Sequence, residues 1–181
     1  MTHDHNASFR RASRACLAAA VLALAACASQ PAPPPSPPLT PDTPAQMVAY
    51  IDAAAGDGAG ELNVQPLRSP EVEDLRQRAD RLRGQGHLLD AAAALDHAIE
   101  LVPDDPALLQ ERAEVALLLS DFERADGLAA RAQSLGPGVG PLCRRHWATR
   151  EQVALVRGDG DAAEAARVSM AACRVAPPPR W

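Results

Sequence analysis

Lysine is absent from this 181-residue chain, so all 18 basic residues are arginine, a bias that fits GC-rich coding and implies no chemistry. Aromatic residues make up only 3%. The 47% apolar fraction is therefore mostly alanine and leucine, a composition that suits closely packed helices and argues against a sheet, which favours β-branched and aromatic side chains. Positive charge is also in deficit, with 23 acidic residues giving a net charge of −5. That balance excludes an electrostatic footprint for nucleic acid and disfavours an anionic lipid surface. The uncharged apolar stretch from Ala15 to Ala26 falls short of the roughly 20 residues that a membrane-spanning helix needs. HExxH, GxSxG, Walker and kinase patterns are missing, so no catalytic residue, no cofactor and no enzymatic role are expected. With no CxxC, and no ligand spacing among His87, His97 and His146, no metal site is expected either.

What is present begins with an address. Arg10, Arg11 and Arg14 precede an uncharged apolar stretch from Ala15 to Ala26, too short to span a bilayer but of the length of a signal segment. It ends in Leu24-Ala25-Ala26-Cys27, small residues before a thiol. This tetrapeptide resembles the lipobox of bacterial lipoproteins, which implies cleavage after residue 26, lipidation of Cys27 and a membrane anchor. Ala28, rather than aspartate, follows the cysteine, and the resemblance then implies the periplasmic face of the outer membrane. Ordinary cleavage at a small-x-small site is the alternative, since Ala26-Cys27-Ala28 also qualifies.

Residues 27–44 form a proline-rich linker, read as a polyproline II spacer because proline removes donors and fixes φ. Residues 45–71 follow as a short helix and connector. Apolar residues at 47, 48, 51, 54 and 55 mark one helical face, and the glycine-rich run 56–60 ends it. That run is no phosphate loop: no strand precedes it and no Lys-Ser/Thr follows.

From residue 72 to 177 the chain repeats itself. Ala79, Ala91 and Ala98 are followed by Pro103; 34 residues on, Ala113, Ala125 and Ala132 are followed by Pro137. Leu75, Leu82 and Leu95 accompany the first set, Leu109 and Phe122 the second. These spacings resemble the tetratricopeptide (TPR) family, whose 34-residue helix-turn-helix units place small residues where helices cross and a proline where the second helix stops. A third unit has a longer step, because Pro177 lies 40 residues beyond Pro137. Counting back from Pro177 puts Gly160, Ala165 and Ala172 at the matching places and makes the first helix of that unit long, from Pro141 to Arg157. Arg78 and Arg112 depart from the pattern, standing where apolar residues are usual. The expected fold is all-α: a TPR-like solenoid of about three hairpins (72–105, 106–139, 140–177) with a tail at 178–181. A single hairpin cannot bury its own apolar face, and about three are needed for stability.

Cys16 leaves with the signal segment and Cys27 carries lipid, so Cys143 and Cys173 remain. They open and close the antiparallel third hairpin, and the periplasm is oxidising, so a disulfide between them is expected, two buried thiols being the alternative. The TPR resemblance also implies a binding face on the first helices of the units. Its residues would be Glu73, Arg76, Asp80 and Arg83, then Ala107, Gln110, Glu114 and Leu117, then Trp147, Arg150, Ala154 and Arg157. Arginines beside a tryptophan suit an extended peptide carrying carboxylates, by forked hydrogen bonds and stacking; ordinary solvated ion pairs are the competing account. The expected role is a protein-interaction scaffold or assembly factor for an envelope complex, with a periplasmic protein or peptide as partner. A self-associating structural lipoprotein, with a homodimer as its form, is the alternative, with an accessory subunit of an envelope enzyme as the third.

Overall fold

A computed structural model describes residues 37–40, 42–56 and 67–174. The signal segment, Cys27, the tether up to residue 36, most of the glycine-rich run and the tail with Pro177 lie outside the described residues. Within them the chain is all-helical, with seven helices: α1 (Pro44–Ala55), α2 (Pro70–Gly84), α3 (Leu88–Leu101), α4 (Pro106–Leu118), α5 (Phe122–Leu135), α6 (Gly140–Val156) and α7 (Gly160–Ala172). None of them is long and apolar enough to cross a membrane.

The helix ends are written in the local sequence. Pro44, Pro70 and Pro106 open α1, α2 and α4, where a missing N–H costs nothing. Thr43, Ser69, Asp105, Asp121 and Asp159 each cap a helix with a side-chain oxygen that accepts from a backbone N–H of the first turn. Asp105 does more, because Arg68 Nε donates to its Oδ2 at 2.7 Å and ties the start of the first hairpin to the start of the second. Burial alone would raise the Asp105 pKa; the Arg68 hydrogen bond and charge, with the N–H groups of Leu108 and Ala107, outweigh it and hold this carboxyl low.

Helices α2/α3, α4/α5 and α6/α7 pair as hairpins, and each hairpin packs on the next through α3 with α4 and α5 with α6. All three hairpins turn in the same way, through a left-handed residue: Gly86 at φ 80°, Ser120 at φ 60° and Gly158 at φ 72°. The small residues of the repeat pattern lie where backbones approach, and Ala91, Ala98, Ala125 and Ala132 are all at 0% exposure. Arg112, a departure from the apolar pattern, is buried too; its guanidinium forks onto Asp96 of α3 at 2.8 and 3.3 Å.

The third hairpin requires a correction of register. Its turn glycine is Gly158, not Gly160, so every equivalence counted back from Pro177 slips by two residues. Ala163 is the buried counterpart of Ala91 and Ala125, whereas Ala165 and Ala172 are exposed. Two residues on a helix are about 200° of rotation, so the slip exchanges the faces of α6 and α7.

Cys143 and Cys173 are joined by a disulfide across 30 residues, with Cα atoms 5.8 Å apart. The N–H of Gly140 donates to the Cys173 carbonyl at 2.7 Å, closing the same end of the hairpin.

Candidate functional site: a groove that holds a helix

The first helices of the hairpins, α2, α4 and α6, form one face, and α1 lies on its α4–α6 part. The short amphipathic helix read from residue 45 onward is a packed element of the domain. Its apolar stripe, Met47, Val48 and Ile51, is buried, and Val48 and Ile51 join a cluster with Ala116, Leu117, Ala148 and Val153. Burying such side chains contributes roughly 1.5–3 kcal/mol each. Polar contacts fix the position of α1. Tyr50 Oη donates to Glu151 Oε2 at 2.7 Å, and Arg145 Nη2 donates to Asp52 Oδ1 at 3.3 Å. The guanidinium of Arg144 donates to the carbonyls of Ala54 and Ala55, the unsatisfied acceptors at the C-terminus of α1. Ahead of α1, the N–H of Leu39 donates to the Leu155 carbonyl at 2.7 Å, so the end of the proline-rich segment is docked as well. Burial, then the hydrogen bond and charge of Glu151, push the Tyr50 hydroxyl up to about 12, so it stays a donor throughout the neutral range.

Beneath and beside α1 lies a buried polar network. Glu114, at 0% exposure, accepts from Gln110 Nε2 at 2.9 Å, from Arg145 Nε at 3.0 Å and from Arg145 Nη2 at 2.6 Å. Gln110 Nε2 also donates to Thr149 Oγ1 at 2.8 Å, and His146 Nδ1 donates to Gln110 Oε1 at 2.8 Å. Burial pushes the Glu114 carboxyl up more strongly than Arg145 and Gln110 pull it down. Arg145 moves up: burial lowers its pKa, but the charge and hydrogen bonds of Glu114 prevail.

His146 is the network's acid-sensitive member. Its Nε2 is buried without a partner and faces Gly136, where a Cβ would stand only 3.0 Å away. Burial, then the Arg145 charge, lower its pKa from 6.5 to about 4. The unfolded chain thus takes a proton near the ordinary histidine value and the folded chain only well below it. This contribution to stability is complete above that ordinary value and is lost as pH falls toward the folded one. We expect a loss of about 2 kcal/mol between pH 6.5 and 5, read from urea midpoints, that His146→Gln removes. Equal pH slopes for the two proteins would show that His146 does not carry the effect.

The residues expected to bind a partner fall into two groups. Arg76, Asp80 and Arg83 line an open cleft of about 270 Å³ beside α1, together with Glu111 and Arg145. Arg76 Nε donates to Glu111 Oε1 at 2.7 Å, and Arg83 Nη2 donates to Asp80 Oδ1 at 2.8 Å. Gln110 and Glu114 are on this face but fully buried, at 0% exposure, so they shape the groove and do not meet solvent. Trp147, Arg150 and Arg157 are elsewhere. They line a second cleft against α5, where Arg150 Nε and Arg157 Nη1 donate to Asp126 at 3.2 and 3.0 Å, and Arg150 stacks 5.0 Å from the Trp147 ring centroid. The two-residue slip explains the separation, for the groove side of α6 carries Arg145, Ala148 and Gln152. The sequence reading missed these three, and also Tyr50; the lone tyrosine of an alanine-rich chain, on an amphipathic segment, was the available signal. Among the described residues, no group of three His, Cys, Asp or Glu side chains is placed to hold a metal ion.

Stacked helical hairpins with a helix seated on their first-helix face define a helical-repeat domain. Among solved structures it is similar to the globular C-terminal domain of LpoP from P. aeruginosa, with a TM-score of 0.55 and 28% sequence identity over 58% of this chain and 99% of that one. No protein-family model and no curated protein matches the chain.

Proposed function

We propose that the chain is a TPR lipoprotein, anchored through Cys27 to the periplasmic face of the outer membrane, whose hairpin stack binds a protein client of the cell envelope and regulates it without catalysing a reaction. The observation that carries this reading is the groove between α4 and α6, an apolar floor with a built polar network that accommodates a helix. The likeness to the globular C-terminal domain of LpoP supports a helical domain carried behind an N-terminal segment, and the client class we propose for it is a wall-synthesis complex. The disulfide supports an oxidising compartment.

The test is crosslinking of the full-length protein in its own cells, with identification of the captured partners. A wall-synthesis enzyme is the expected capture, and crosslinks to other copies of the chain alone would replace this reading with a self-associating one. In parallel, Cys27→Ala should move the protein from the membrane to the soluble envelope fraction; unchanged fractionation would end the anchor reading.

A further inference from the structure

Helix α1 stands outside the repeat pattern and packs on the first-helix face of the hairpin stack. Among the described helices its main contacts are with α6 and α4, and its outer side, including Ala45, Ala49 and Ala53, is open to solvent. Of the groove's polar groups, Arg144 takes acceptors from α1, the carbonyls of Ala54 and Ala55, and a carbonyl end is something that any helix presents. With α1 removed, Arg145 keeps Glu114, and Glu151 keeps the guanidinium of Arg167, whose Nε and Nη2 donate to Oε1 at 3.1 and 2.9 Å. What α1 covers is apolar: Ala148, Leu117 and Val153 meet Val48 and Ile51.

Building on the scaffold reading above, we infer that the α4–α6 groove is where the client docks, that its occupant is an amphipathic helix bearing a carboxylate, and that residues Pro44–Ala55 hold the groove in cis until such a helix replaces them. The pattern a client must present is the one that α1 displays. Adjacent apolar residues stand where Met47 and Val48 lie, a branched apolar residue follows one turn on, and a carboxylate next to it faces Arg145. The competition is unequal by construction. A cis segment is present at an effective concentration that short linkages raise to about millimolar, so a client binds weakly to the closed chain and tightly once α1 is dislodged. Because α1 lies between the proposed anchor and the hairpins, displacing it also frees the segment that joins the domain to the membrane.

The test uses the full-length chain and, as probe, a labelled synthetic peptide of residues 42–56. Val48→Asp with Ile51→Asp puts charge into the apolar contact and should eject α1. We expect the peptide to bind this variant at least tenfold more tightly than the unsubstituted chain, and a peptide carrying Asp52→Arg to lose at least tenfold against the same variant. Equal binding to both chains, or none to a variant that keeps its helical circular dichroism, overturns the inference. Should the double variant lose helicity, Asp52→Arg in the chain serves instead. That side chain is 57% exposed, and its reversal sets two cations face to face. A tighter peptide complex is then required, and no gain counts as refutation. A concentration-dependent dimer that the peptide dissolves would make a second copy the occupant and overturn the client assignment. A wall-synthesis partner crosslinked with the same yield in all variants would leave the scaffold reading intact and overturn this one; peptide capture without any envelope partner would count against the client class alone.

Discussion

Reducing the Cys143–Cys173 disulfide should lower the stability of the domain by about 3–4 kcal/mol, the chain-entropy value for a loop of roughly 30 residues. The loop encloses α6 and α7, and α7 contributes little to the core, since Ala163 and Ala166 are the only buried residues along it. No further described helix covers its outer side. Among the described helices this hairpin has a neighbouring hairpin on one side only, so a covalent tie there replaces contacts that the middle hairpin obtains twice. For a domain of about this size the loss corresponds to a fall in Tm of roughly 12–25 °C. Thermal circular dichroism with and without reductant, repeated on Cys143→Ser with Cys173→Ser, measures it. A change of only a few degrees would mean that the disulfide does not restrict the unfolded chain as its loop length requires.

Arg145→Leu should cost about 3–5 kcal/mol, whereas Glu114→Gln should cost no more than about 1–2 kcal/mol. The asymmetry follows from burial. The Glu114 side chain is at 0% exposure and that of Arg145 at 25%. Removing the guanidinium leaves a carboxylate with only Gln110 and the 3.6 Å approach of Arg83 to compensate its burial. Removing the carboxylate's charge leaves an arginine that keeps Asp52 and reaches water. The pH dependence gives a second check. Because burial raises the Glu114 pKa in the folded state, its contribution is complete below the ordinary carboxyl range and is lost as pH rises through the folded value. Loss of Arg145 raises that value further, so the deficit of Arg145→Leu should be larger at pH 8 than at pH 5. Urea unfolding at both pH values reads it, and identical costs for the two substitutions would refute the account of Glu114 as the group that needs its partner.

Parts of this arrangement were legible before any coordinates. The alanine spacing placed Ala91, Ala98, Ala125 and Ala132 at helix crossings because only a small side chain lets two backbones approach, and all four are buried. Pro141 marked the start of the third hairpin's first helix, which runs from Gly140 to Val156, because proline fits the first turn. The third hairpin was harder. Six residues beyond the period can enter the first helix, the turn or the second helix, and a count from Pro177 cannot apportion them. The two-residue error that resulted was enough to put Trp147, Arg150 and Arg157 on the groove and leave Arg145 off it.

The sequence by itself determined which stretches are helical, which helices pair and which small residues lie between them. Periodicity, caps and loop length act over a few residues, and each leaves its mark on the chain it shapes. Only the tertiary structure decided that Pro44–Ala55 lies across α4 and α6, that Glu114 and His146 are sealed beneath neighbouring helices, and that Arg145 rather than Arg150 faces them. An amphipathic stripe states that one side of a helix must be covered. It does not name the surface that covers it, because that depends on the summed fit of side chains from elements far apart in the chain.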